Sequence, residues 1–119
     1  MSALVTVNEI KVFLPSEATD TQNDALITAC ESNVEATINS KCDKVTVNSV
    51  EEDILAQYTA DTLPADLKTA IIKLAIAEFI SSKTSVNYVA EGTAVIDRAS
   101  RYRKDGLDLL APHITPSVA

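Results

Sequence analysis

Residues 63–82 read LPADLKTAIIKLAIAEFISS, the longest strongly apolar run in the chain, and every other segment is too polar to form a core without it. Pro64 has the fixed φ favoured in a first helical turn, Asp66 sits at the positive end of the helix dipole, and neither glycine nor proline interrupts until well past Ser82. The pattern predicts a helix over residues 64–82. At about 100° per residue, Leu67, Ala70, Ile71, Leu74, Ala75 and Glu78 share one face and Ile72, Ile76, Phe79 and Ile80 the opposite one. A helix apolar nearly all round is buried nearly all round. Asp66, Lys68, Lys73, Glu78 and Lys83 make it too charged to cross a bilayer, which takes about 20 consecutive apolar residues. The expected fold is therefore all-α, a small helical bundle around this central buried helix.

The flanking sequence supplies what packs on it. Thr6-Val7-Asn8-Glu9 fits a capping box and predicts a short helix to Leu14, stopped by Pro15, with Val7, Ile10, Phe13 and Leu14 on one side. A second, amphipathic helix is expected from Asp20 or Thr21 to Lys41. Its stripe is Leu26, Ile27, Cys30, Val34, Thr37 and Ile38, with Asp24, Glu31 and Glu35 assigned to the far side as a solvated face. The alternation of Val45 and Val47 suggests a short extended piece over 44–50, and Glu51, Glu52 and Asp53 suggest the start of a turn of helix through Tyr58. Adjacent acids on a helix do not converge on one ion, so they are not read as a metal site.

Beyond the central helix, β-prone residues around Glu91-Gly92 predict a hairpin or long loop near 84–95, the first candidate for a partner contact, with Tyr88, Glu91 and Gly92 in it. A last helix is expected from Ile96 to Asp105 or on to Leu110, with Gly106 either inside it or capping it. Its apolar face, Ile96, Ala99, Tyr102, Gly106, Leu107 and Leu110, has Arg103 in the middle; Arg98, Arg101 and Lys104 point the other way, interleaved with Asp97, Asp105 and Asp108. That basic face reads as a mixed-charge surface or as a contact for an acidic neighbour. Glu78 and Arg103 break their apolar faces, and a buried charge is costly unless paired, so the two are expected to pair within or between subunits, the alternative being an arginine that reaches solvent.

Composition narrows function. The chain has 119 residues, one domain's length, and its 46% apolar content includes no Trp, two Phe and three Tyr, too few for a platform that stacks bases or sugars. Residues 1–66 carry twelve acids and three bases, net −9, whereas 67–119 carry five acids and seven bases, net +2. The N-terminal half should repel nucleic acid, and no basic stripe is present for sequence-specific DNA binding. Cys30 and Cys42 form no CxxC pair and suit a reduced, cytosolic history; MSALVTVNE lacks the n- and h-regions of a secretion signal. With glycines only at 92 and 106 there is no phosphate-cradling loop, and there is no HExxH motif. The single histidine, His113, falls between Pro112 and Pro116 in a tail expected to be loose, with nothing to orient it as a catalytic group. No catalytic, cofactor-binding or metal-binding residues are expected, and no enzyme activity.

The order of these features resembles the head–tail connector, or adaptor, proteins of tailed bacteriophages. The resemblance spans most of the chain and is most specific at Pro64-Ala65-Asp66-Leu67-Lys68-Thr69-Ala70-Ile71 with the helix behind it; the short capped helix Val7–Leu14, the long helix from Asp24 to Ile38, the loop around Gly92 and the final helix complete it. It implies a helical connector domain over 1–110 and an extended tail over 111–119. Such a subunit docks as a homo-oligomeric ring of about a dozen copies under the portal protein. The ring extends the channel for genomic DNA, without sequence-specific binding, and offers a surface to a downstream connector, stopper or tail protein; no membrane is involved. Residues 84–95 and the tail, including His113 and Ile114, are the intersubunit or portal contacts it implies, while the role of 45–50 stays open. The rival reading is a small helical regulatory module that binds protein.

Overall fold

In the computed structural model the chain forms α1 (Val7–Lys11), α2 (Asp24–Lys41), β1 (Val45–Val47), β2 (Val50–Glu52), a 3-10 turn (Ile54–Gln57), α3 (Ala65–Thr84), α4 (Thr93–Leu109) and a last 3-10 turn (Ala111–His113). Residues 4–12, 23–84 and 93–114 are described, apart from the side chains of 82–84 and 93–98. The fold is a small all-α bundle with one two-stranded sheet.

The centre is α3. Lys68 N donates to Pro64 O at 2.9 Å, and Asp66 Oδ1 accepts from Leu67 N at 2.8 Å, so the first turn is closed by the residues the sequence places there. Leu67, Ala70, Ile71, Ile72, Leu74, Ala75, Ile76, Ala77, Phe79 and Ile80 are all buried, on every side of the helix. Against one side α2 lays Ile27, Cys30, Val34 and Ile38; against another α4 lays Ala99 and Gly106, with Leu110 buried just past its end. Full burial of one such aliphatic side chain contributes on the order of 1.5–3 kcal/mol, so this helix dominates the core.

Gly106 lies inside α4, which settles the question the sequence left open. A Cβ there would stand 2.6 Å from Leu74 Cγ and 3.3 Å from the Ala70 carbonyl oxygen. The absent side chain is what lets α4 approach α3. At the other end of the chain α1 is closed by the capping box: Glu9 N donates to Thr6 Oγ1 at 3.2 Å and Thr6 N to Glu9 Oε1 at 3.1 Å.

Several boundaries differ from expectation. Both helices flanking residues 85–92 are longer toward that segment, α3 reaching Thr84 and α4 starting at Thr93; the rest of the hairpin or loop expected near 84–95 lies outside the described residues. α1 stops with Val12 as its C-cap instead of reaching Leu14, and α2 begins at Asp24 instead of Asp20 or Thr21. The described hairpin lies at 45–52, pairing Val45 with Glu52, Thr46 with Glu51 and Val47 with Val50. Asn48 and Ser49 form its turn with φ of 51° and 68°, the left-handed pair that a two-residue hairpin of the primed type requires. Glu51 and Glu52 are strand residues and start no helix. Asp53 pairs with Lys44, and the turn after it is held by Leu55 N donating to Asn39 Oδ1 of α2 at 3.1 Å.

The tail is also fixed further than expected. Pro112 sits in the first positions of the last 3-10 turn, and His113 is bonded at both of its ends: its carbonyl accepts from Asp43 N at 2.9 Å and its Nε2 lies 2.8 Å from Asp66 Oδ2. The expectation of a loose tail without an orienting partner fails for residues 111–114; Thr115 onward lies outside the described residues.

Candidate functional site

The sequence-derived contact residues divide into three groups. Tyr88, Glu91 and Gly92 lie outside the described residues, and for Arg98 only its place in α4 is described. Arg101, Arg103 and Lys104 are exposed on α4. Among the described residues none of the three is in an ion pair, and Arg103 donates to Ser81 Oγ at 3.3 Å. His113 and Ile114 are half-buried against the start of α3 and the strand-entry segment.

Within the chain, Glu78 and Arg103 form no buried pair. Arg103 reaches solvent because its place on α4 lies at the edge of the contact with α3, and its long stem lets the guanidinium leave that edge. Glu78 is half-buried. The two do share a groove of about 360 Å³ where α2, α3 and α4 meet, lined by Leu26, Ala29, Cys30, Asn33, Glu78, Ser81 and Arg103. A lining that mixes apolar Leu26, Ala29 and Cys30 with polar Asn33 and Ser81, one acid and one guanidinium suits an amphipathic segment.

The basic α4 face is partly tied down on its other flank. Lys73 of α3 reaches Asp105 at 3.2 Å and stands 6.0 Å from the Tyr102 ring centroid, so Asp105 is occupied inside the chain while Arg101 and Lys104 remain available. On the N-terminal half, the hairpin carries Val50, 60% exposed, next to exposed Glu51. An exposed apolar residue beside an unpaired carboxylate on a short two-stranded projection is a surface suited to a protein contact.

One assignment from the sequence is overturned. Glu31 does not belong to a solvated face: it is 1% exposed, and its Oε2 accepts from Val5 N at 3.3 Å. Glu35 Oε2 accepts from Leu4 N at 3.1 Å. Glu31 follows Ile27 by four residues and precedes Val34 by three, which puts it on the buried stripe itself. Burial, then contact with the Glu35 carboxyl, push its pKa up to about 8. Asp24 is engaged as well, 2.5 Å from Lys11 Nζ of α1. The helical angle was the signal that could have revealed Glu31; nothing local in the sequence pointed to Leu4 and Val5 as its partners.

Three other titratable groups, Glu9, Asp66 and Cys42, are shifted by their neighbours. The Lys68 ammonium, bonded to Glu9, holds that carboxyl below its usual range, and the His113 imidazole does the same for Asp66. Burial, then the charge of Asp43, push the Cys42 thiol up, which makes it a poor nucleophile. Among the described residues no cluster of three His, Cys, Asp or Glu side chains could hold a metal ion, and no helix is long and apolar enough to cross a membrane. Comparison with known proteins adds no relative to this picture: no family model, no curated protein and no solved structure matches the chain.

Proposed function

We propose that the chain is a head–tail connector subunit of a tailed bacteriophage, docking in a ring on the portal, extending the DNA channel and offering its far side to the next connector or tail protein in the neck of the virion. The observation that carries this reading is the position of Pro64–Ile71, the stretch with the most specific resemblance to the connector family. It opens the helix on which α2 and α4 both pack, so the resemblance falls on the organising element. Two further features support it. Arg101, Arg103 and Lys104 stand exposed on one helix, and the acid-rich half of the chain projects a hairpin with Glu51 and Val50 exposed, a pairing that suits head-to-tail contacts in a closed ring. An excess of acid also suits a channel through which DNA must slide without sticking.

The test is negative-stain imaging of the chain mixed with portal rings from the same source genome. Additional ring density on the narrow end of the portal is expected. A folded chain that adds no density at micromolar concentrations overturns the proposal and leaves the regulatory-module reading.

A further inference from the structure

We infer that Glu31 and Glu35 form a proton-operated latch on the segment leading into α1: with one proton shared between the two carboxyls they hold the Leu4 and Val5 amides, and on losing it they let them go. The inference does not depend on the connector reading.

The geometry carries it. Glu31 Oε2 takes the Val5 N–H and Glu35 Oε2 the Leu4 N–H, so two consecutive backbone donors are spread over two carboxyls one helical turn apart. Glu31 Oε1 is buried with no hydrogen-bond donor facing it. The Glu31 carboxyl is in contact with that of Glu35, which as an anion has nothing to donate. Only a proton between the two satisfies both.

The other charged groups on the packed elements do not relieve this. Lys11 of α1 is held by Asp24 of α2, Glu9 of α1 is held by Lys68 of α3, and Glu31 takes part in no ion pair among the described residues. When the shared proton leaves, two like charges face each other, one of them in a site that is 1% exposed. A carboxylate in that position must reach water, and the α2 surface it leaves is the one that Val5, also 1% exposed, now covers. Release of the segment is the low-cost way for it to do so.

The experiment uses the full chain and amide hydrogen exchange, corrected for the intrinsic pH dependence of exchange, at Leu4 and Val5. Between pH 6 and pH 8 the wild type is expected to lose about a hundredfold in protection at these two amides, about tenfold for each unit between the ordinary value of 4.5 and the closed-state value of about 8, and to level off toward pH 9, while α3 amides hold theirs. Glu31→Gln keeps an acceptor for Val5 and supplies a permanent donor to Glu35, so its protection should stay flat over the same range. A wild type with pH-independent protection, or a Glu31→Gln chain that loses protection in parallel with it, overturns the latch. Should Glu31→Gln not fold, the wild-type Glu31 carboxyl carbon followed by NMR decides: a midpoint above 7 supports the latch, and an ordinary midpoint near 4.5 overturns it.

Discussion

Carboxylates hold both ends of the described chain, and they hold them in opposite states. At one end Glu31 and Glu35 grip the Val5 and Leu4 amides, and Glu31 does so from a buried position that favours the neutral acid. At the other, Asp66 meets His113 from a position 38% exposed that favours the anion. Depth decides the difference. Burial outweighs the Val5 amide hydrogen bond at Glu31, whereas at Asp66 water and an imidazole keep the charge.

Opposite preferences give opposite responses to pH. For Glu31 the folded value is raised from 4.5 to about 8, so its contribution is fully present below pH 4.5, falls as pH rises through that window and is gone above about 8. For Asp66 the folded value lies below 3.8, so its contribution is present above that and is lost on acidification. Between pH 5 and 7 the N-terminal grip should weaken while Asp66 stays ionised, a trend that chemical denaturation across this range would read directly.

Mutations can break or sharpen the contrast. Ile71→Ala should erase it, because both ends hang from the core around α3: a loss of about 2–5 kcal/mol in urea denaturation is expected, with amide exchange rising at both ends together. Gly106→Ala should loosen the C-terminal end selectively by pushing α4 from Leu74. The cost of about 1–3 kcal/mol from overpacking is reduced by alanine's better helix propensity, and the exchange increase should appear at His113 and Ile114 and not at Val5. Thr6→Ala is its N-terminal counterpart; loss of the capping box should cost about 1 kcal/mol and show at α1 alone. Smallest of all, Asp66→Asn removes an exposed pair worth about 0–1 kcal/mol, and its signature is a flattened stability profile below pH 4.

How far each region could be read in advance follows the same division between local and tertiary causes. The central helix was legible because Leu63–Ser82 is long, unbroken and apolar on every face, so no alternative partner arrangement could move it. Glu31 was legible in angle and misread by type, since an acid between Ile27 and Val34 was taken for surface. The hairpin or long loop expected around Glu91-Gly92 lies outside the described residues, and the described hairpin turns on Asn48 and Ser49, next to the alternation of Val45 and Val47 that marks an extended piece in the sequence. Asp66 and His113 are 47 residues apart, and nothing local to either announces the other. Pro112, in a tail whose sequence reads as loose, sits in the 3-10 turn Ala111–His113.

The close approach at Gly106 bears on the route by which the chain folds. α3 and α4 are consecutive helices and share the most extensive contact in the molecule, so bringing them together closes a short loop and costs little chain entropy. The helical hairpin they form is the expected nucleus, with α2 and α1 condensing on it afterwards. Leu74→Ala should accordingly slow refolding nearly in proportion to its destabilisation, while Ile27→Ala should act mainly by speeding unfolding.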